Sequence, residues 1–304
     1  MELIIPERTH QEFGHSISKL LQLLSALQIN KNKKVTLNFS QARMLNPFFL
    51  GGLACVINYE ERQGRFFDFN YGLNYSLQSY LSLIRFPSCH APEIEKADDF
   101  IYSLEKFTQK TYTPIICFPT GDSNTISEIR EKVLGAVGSI IRQQLGFTET
   151  KLMPISYMID ELTHNVNDHS EAAGGYIFIQ YYPSSNYLDL CICDNGVGIL
   201  SSYNKTNKFN PVNETEAVAF AINGRSTKNR PESKGFGICT SRNMLVNGLN
   251  GCFYLMTGNS AYMQTIDYKG IINLPDNFYF QGTFVALRIP TLIPADFNIY
   301  SYVE

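Results

Sequence analysis

The stretch YLDLCICDNGVGI, residues Tyr187–Ile199, is an apolar strand pattern that runs directly into a glycine-rich turn. Gly196 and Gly198 permit positive φ and carry no Cβ atom that would block a ligand lying against the backbone. Asp194, at the end of the strand, can hold a carboxylate toward such a ligand. A tight turn that only ends the strand is the alternative, because Asp, Asn and Gly are ordinary residues there.

The segment ELTHNVNDHS, residues 161–170, lies on a predicted amphipathic helix whose polar flank is rich in Asn, Asp and His. Pro154 is expected in the first turn of this helix. At about 100° per residue, Glu161, Asn165 and Asp168 point about 120° away from the apolar stripe. We therefore predict that this flank forms a pocket wall, although a solvated helix face is the alternative. The apolar stripe consists of Ile155, Ile159, Leu162 and Val166.

A third element, KGFGI at residues 234–238, places Gly235 and Gly237 at the start of a predicted helix. Helix N-termini expose unpaired N–H groups and partial positive charge, which stabilise an anion such as phosphate. A single GxG pair is weak evidence. Three elements in this order, each of a type that a nucleotide site uses, are stronger evidence together than separately.

The rest of the second half is predicted to alternate between strands and helices. A long polar stretch at residues 200–234 is broken only by the helical pattern NETEAVAFAI at residues 213–222. Connections of this length are usually functional lids or disorder. Helices are predicted at residues 124–145 and 237–251. Strands are predicted at residues 113–119, 175–183, 187–194, 252–258 and 282–290.

This succession of motifs resembles the Bergerat ATP-binding fold of the GHKL superfamily. That superfamily includes type II topoisomerase and chaperone ATPases, sensor histidine kinases, mismatch-repair ATPases and anti-sigma-factor serine kinases. The resemblance covers roughly residues 113–290 and implies an α/β fold, an α+β two-layer sandwich in which a mixed Bergerat-type sheet has helices on one face. The motifs are Glu161-x-x-x-Asn165, Asp194-x-Gly196-x-Gly198, Gly235-x-Gly237 and Gly282-Thr283.

The resemblance implies that the chain binds ATP with Mg²⁺. Asn165 would bind the Mg²⁺ that bridges the phosphates. One amide oxygen together with phosphate oxygens is sufficient, because magnesium prefers oxygen ligands and keeps several waters. Glu161 would be the catalytic residue that orients or deprotonates the attacking group. Asp194 would accept a hydrogen bond from the adenine amine, and a carboxylate there repels the carbonyl oxygen of guanine. Thr283 would support the adenine end through its hydroxyl.

Further residues are expected around the nucleotide on the same basis. Lys234, with the paired glycines at 196 and 198 and at 235 and 237, would complete the ATP-binding loops. His169, Arg225 and Lys228 are candidate contacts to the phosphates or the lid. A satisfied histidine at a helix end and solvated loop cations are the alternatives for these three residues.

Residues 1–111 are predicted to form a small α/β domain ahead of an ATP-binding domain at residues 112–304. Strands are predicted at 34–40 and 65–72, and helices from Pro47 to Gly64 and over residues 75–86. This pattern resembles a STAS domain, the fold of anti-sigma-factor antagonists. The serine that those domains phosphorylate falls here at Pro47 or Phe48, and neither side chain can accept phosphate. The unit is therefore expected to be a fixed partner or docking surface.

Composition narrows the functional class. The formal charge of −3 and a pI near 6.0 give no global basic field, which argues against a nucleic-acid partner. No targeting segment and no window of about 18 uncharged apolar residues is found, so a soluble cytoplasmic protein without a membrane partner is expected. The 7 cysteines lack disulfide-scaffold spacing. Cys191 and Cys193 are expected in the core rather than at a metal.

Two functions are left open. The compact anti-sigma serine kinases and related regulators fit best in size, since no phosphoacceptor hairpin precedes the motifs and no transducer segment is expected after them. The chain would then be an ATPase or a serine/threonine protein kinase that acts on a protein partner, with Glu161 as the base. The alternative is a nucleotide-gated protein-interaction module with little or no catalysis. A homodimer is left open.

Overall fold

The computed structural model of the chain describes residues 1–9, 12–206, 209–225 and 237–303. Within these ranges the strands form a three-stranded parallel sheet and a seven-stranded antiparallel sheet, both packed with helices. A fold with α and β elements of the α+β kind is therefore confirmed at this level. No helix in the described ranges is long and apolar enough to cross a bilayer.

The N-terminal unit contains the three-stranded parallel sheet, with strand order β1-β2-β3. Its predicted strands and helices are confirmed. Asn46 caps the second helix by accepting a hydrogen bond from the Phe49 N–H at 3.2 Å, and Pro47 takes the first helical position, where its missing N–H costs nothing. The elements are β1 (Glu2–Ile4), α1 (Phe13–Ile29), β2 (Lys34–Asn38), α2 (Pro47–Arg62), β3 (Phe66–Asn70), α3 (Tyr75–Leu83) and α4 (Ala97–Leu104).

The larger sheet has the strand order β4-β5-β6-β10-β7-β8-β9, and every pairing in it is antiparallel. The expectation of a mixed sheet is therefore wrong. Short connections account for part of this arrangement, such as Asn259 between β7 and β8, because only antiparallel neighbours can share them. The strands are β4 (Ile116–Pro119), β5 (Gly174–Tyr182), β6 (Tyr187–Asp194), β7 (Cys252–Gly258), β8 (Ser260–Gln264), β9 (Lys269–Asn273) and β10 (Phe280–Pro290).

Helices α5 and α6 and the region of α9 pack on one face of this sheet. Helix α6 begins at Glu149, one turn earlier than predicted. Pro154 therefore lies inside the helix rather than in its first turn, and it removes one i to i−4 hydrogen bond there. The helices are α5 (Asn124–Leu145), α6 (Glu149–His169), α7 (Gly198–Thr206), α8 (Glu214–Ile222) and α9 (Gly237–Asn243), which continues into a π-helical turn at Met244–Gly248.

The opposite face of the sheet is covered by α2 of the N-terminal unit, while α5, α6, α8 and the turn after α9 pack with the first face. Every residue from Pro47 to Cys55 is buried, because this helix is apolar all round and is covered on both sides. A Cβ atom at Gly51 would lie 2.9 Å from the Cys191 Sγ atom, so α2 lies directly on β6. The domain boundary at residues 111 and 112 stays a prediction, and one apolar core extends across it.

A buried ion pair lies where the N-terminal unit meets the sheet. Arg288 on β10 donates from Nε to Asp189 on β6 at 2.7 Å and from a terminal nitrogen at 2.8 Å, and Asp189 is fully buried. The Arg288 guanidinium lies 6.0 Å from the ring centre of Phe13 and 5.9 Å from that of Phe48. Phe48 is itself completely buried, and its ring contacts Phe13 on α1, so this end of α2 is enclosed between α1 and the large sheet.

Candidate functional site

A cavity lies on the helical side of the large sheet, between α6, α7 and α9 and above strands β6 and β10. About 110 Å³ of it is accessible to the centres of water molecules. The predicted side chains that line it are Glu161, Asn165, His169, Asp194, Arg225 and Thr283, together with Gly198 and Gly237. Residues from four separate motifs therefore meet in one cleft.

Asp194 forms the floor of the cavity at the end of β6. The residue is only 1% exposed, and its carboxylate accepts the N–H of Gly196 at 2.8 Å and the backbone N–H of Thr283. Burial raises the pKa of Asp194 to about 7, while these two N–H groups act in the opposite direction. An ionised carboxylate has about four acceptor positions, so capacity remains for a donor on a ligand.

An irregularity in β10 brings Thr283 to Asp194. The register between β10 and β7 shifts between Phe280 and Thr283, and Gly282 adopts φ +89°. A Cβ atom at Gly282 would overlap the backbone oxygen of Asp194, so glycine is required for this close approach. Thr257 on β7 donates its hydroxyl to the Gly282 carbonyl at 2.9 Å, which holds the irregular segment in place.

The polar wall of the cavity comes from α6, where Glu161, Asn165 and His169 are spaced four residues apart and so follow one line along the helix. Gly237, the first residue of α9, lies against Glu161, and a Cβ atom at position 237 would overlap the Glu161 carboxylate. Asp168 belongs to the same predicted flank but is exposed and does not line the cavity.

Tyr157 is a neighbour of this wall that the sequence reasoning missed. It lies one turn before Glu161 on α6, and its hydroxyl is hydrogen-bonded to the Thr240 side chain on α9. Burial raises the pKa of Tyr157, and the nearby charge of Glu161 raises it further. The four-residue spacing from Glu161 is the signal that would have placed Tyr157 on the same flank.

Gly196 is not in the cavity wall. A Cβ atom there would overlap the carbonyl oxygen of Ser170, and the Val197 N–H donates to the same oxygen at 2.8 Å. Gly196 therefore lets the loop after β6 pack against the end of α6. Lys228, Lys234 and Gly235 lie outside the described residues.

Apolar side chains form the remaining walls. They come from α6, β6, α7, α9 and β10, and they surround the buried carboxyl of Asp194 with hydrocarbon. Such a site, apolar with a few fixed polar groups, suits a flat ring with a polar edge. These side chains are Leu162, Val166, Ile192, Ile199, Ile238 and Val285.

Comparison with protein-family models, curated proteins and solved structures gave no match. In the described part of the chain, no group of three or more His, Cys, Asp or Glu side chains is arranged to hold a metal ion. Cys191 and Cys193 are free thiols buried on the opposite face of the sheet, which confirms their prediction as core residues.

Proposed function

We propose that the chain binds ATP together with Mg²⁺ in this cavity and acts as a regulatory protein of the GHKL superfamily. The observation that supports this proposal most is that Asn165 of α6 and Asp194 of β6, 29 positions apart in the sequence, line the same apolar cleft. A nucleotide needs such a cleft, because its base is flat and largely apolar while its other end is an anion.

The base would bind at Asp194. Its buried carboxylate would accept the exocyclic N–H₂ group of adenine and would repel the oxygen that guanine carries at that position. A hydrogen bond to a charged group contributes about 1.5–3 kcal/mol, which is roughly tenfold to hundredfold in affinity. Thr283 would hold the carboxylate through its backbone N–H and contact the base end through its hydroxyl.

The phosphates would bind at the α6 wall. The Asn165 amide oxygen would be the protein ligand of Mg²⁺, and phosphate oxygens and waters would complete the coordination. Bound Mg²⁺ would neutralise charge on the phosphates. Glu161 would orient or deprotonate the attacking hydroxyl or water. The residues fit this assignment, because Glu161 and Asn165 lie one turn apart on α6 and both line the cavity. Lys234, Gly235 and Lys228 belong to the same proposal.

The activity proposed is ATP hydrolysis or phosphorylation of a protein partner on serine or threonine. The N-terminal STAS-like unit would be a docking surface rather than a substrate, because Pro47 and Phe48 are buried under the large sheet. A nucleotide-gated interaction module is the second candidate. It is favoured by the contact between β6 and α2, since Cys193, the neighbour of Asp194, donates its Sγ–H to the Gly51 carbonyl at 3.6 Å.

Titration calorimetry with ATP and Mg²⁺ tests the binding proposal. Wild type should bind ATP more tightly than GTP, Asp194→Asn should lose that preference, and Asn165→Ala should lose Mg²⁺-dependent affinity. His164→Ala is a matched control on the same helix, because His164 is exposed and does not line the cavity. Absence of ATP binding by wild type would overturn the proposal.

Phosphate release separates the two candidate activities. If the chain is an ATPase or kinase, Glu161→Ala should bind ATP but release or transfer phosphate about 100-fold or more slowly than wild type. Equal and negligible rates for both proteins, with ATP binding intact, would leave the nucleotide-gated module as the function.

A further inference from the structure

Helix α8 ends beside the cavity in a cap that determines the position of Arg225. Gly224 adopts φ +75°, which favours glycine. The Arg225 N–H donates to the Phe220 carbonyl at 3.0 Å, and the Gly224 N–H donates to the Ala221 carbonyl at 3.2 Å. These two bonds satisfy carbonyls that the end of the helix leaves unpaired. The cap therefore turns the chain back, so that the Arg225 side chain lies over the ring of Phe220.

Three aromatic side chains surround the arginine, and we call them the aromatic cradle: Tyr203 on α7, Phe209, and Phe220 on α8. The Arg225 guanidinium carbon lies 4.0 Å from the ring centre of Phe220 and 5.7 Å from that of Phe209. The buried Tyr203 donates its hydroxyl to the Arg225 carbonyl. The rings meet edge to face with centres 6.0–6.3 Å apart, so they support one another.

The way Arg225 is held leaves its charge available. No ion pair involving Arg225 is found within the described ranges, and its guanidinium contacts aromatic faces instead. A carboxylate partner would neutralise the cation and occupy its N–H groups. A ring face holds the guanidinium by its flat side and leaves the N–H donors around its edge for another group. Arg225 also lines the cavity, so these donors are available to a ligand there.

Lys205 shows the contrast. It lies on the same helix as Tyr203, but its ammonium is paired with the Glu171 carboxylate and it does not line the cavity. Two cations near the cavity are thus held differently, one by an acid and the other by rings. Only the second arrangement is suited to capture an added anion.

We propose that Arg225 binds the polyphosphate chain of the nucleotide and that the aromatic cradle positions it, so that affinity increases from mono- to triphosphate. This inference rests on the proposed binding of a nucleotide in the cavity. A planar guanidinium can pair two phosphate oxygens at once, which a flexible lysine does less well. Phe220 and Tyr203 are positioning residues here, because they act through Arg225.

The inference is tested by the ratio of affinities for ATP and AMP, measured by calorimetry in one buffer with Mg²⁺. Wild type should bind ATP more tightly than ADP, and ADP more tightly than AMP. Arg225→Met should lower ATP affinity about tenfold to hundredfold and leave AMP affinity unchanged within error. Lys205→Met, the matched control, should keep the wild-type ratio.

Variants of the aromatic cradle distinguish a role of the rings in positioning Arg225 from an effect on protein stability alone. Phe220→Leu keeps an apolar residue but removes the ring face, and it should lower ATP affinity about threefold to tenfold without affecting AMP. Phe220→Tyr keeps the face and should restore the wild-type ratio. Equal losses of ATP and AMP affinity, or an unchanged ratio in Arg225→Met, would overturn the inference while leaving nucleotide binding intact. Failure of wild type to bind any of the three nucleotides would overturn the proposed function itself.

Discussion

The carboxylate of Glu161 lies directly against the Cα atom of Gly237, so that a Cβ atom at position 237 would overlap its Oε2 atom. Glu161 is in the middle of α6, and Gly237 is the first residue of α9. The two elements that form this side of the cavity therefore meet at a contact that only glycine permits.

Gly237→Ala is expected to displace Glu161 or the start of α9. Overpacking of a close contact typically costs about 1–3 kcal/mol, and ATP binding should weaken with it. Gly135→Ala is the matched control, because Gly135 lies inside α5 and a Cβ atom there meets nothing within 4 Å. That control should stabilise the protein by about 0.5–1 kcal/mol. Urea unfolding of both variants checks the prediction, and similar stability of the two would contradict it.

Asp194 should make stability fall as pH rises. Its usual pKa is 3.8 and its pKa in the folded protein is about 7, so the folded state binds a proton more tightly than the unfolded state. The stabilisation from that proton is present below about pH 4 and is lost as pH rises through 7. The free energy of unfolding of wild type should fall by roughly 2–4 kcal/mol over this range of pH, and that of Asp194→Asn should not. Urea unfolding from pH 4 to 8 checks it, and parallel profiles for the two proteins would count against it.

Nucleotide affinity should change with pH in the opposite direction. The ionised carboxylate of Asp194 is the stronger acceptor for the adenine amine, so ATP should bind more tightly at pH 8 than at pH 6, with release of a proton near neutral pH. Calorimetry in two buffers of different ionisation enthalpy measures the number of protons released when ATP binds. Asp194→Asn should release none from this site, and proton uptake by wild type would be the contrary result.

The buried pair of Asp189 and Arg288 should be strongly coupled. Asp189→Leu or Arg288→Met leaves one charge buried without its partner, which costs about 3–5 kcal/mol. The double variant should be less destabilised than the sum of the two single variants. Lys34→Met breaks the exposed pair with Asp68 and should have no measurable effect. A double-mutant cycle by chemical denaturation measures the coupling, and additive losses would refute it.

Much of the fold follows from local pattern. Helix α5 was predicted with its observed ends, because Ser123 accepts a hydrogen bond from the Ile126 N–H at its start and Gly146 adopts the left-handed conformation after its last residue. The meeting of Asn165 and Asp194 followed from motif order. The cap of α8 that positions Arg225 was not predicted from the sequence, although Gly224 indicated it.

The missed elements have physical reasons. Helix α7 was expected to be part of a polar loop, since SSYNKT contains weak helix formers, yet Tyr203 is buried with 4% exposure. Strands β8 and β9 have five residues each and lack a clear alternation of apolar and polar side chains. The position of α2 behind the large sheet depends on contacts between distant parts of the chain, which no local pattern encodes.

Helix α2 gives the parallel and antiparallel sheets a common interior. A fragment beginning at residue 112 would leave the rear of β5, β6 and β10 bare, with Phe178 and Phe284 open to water. The C-terminal half therefore cannot stand alone without a substitute for that helix. A force applied to the N-terminal unit would reach the strand that carries Asp194 through side chains already in contact, with no linker to absorb it.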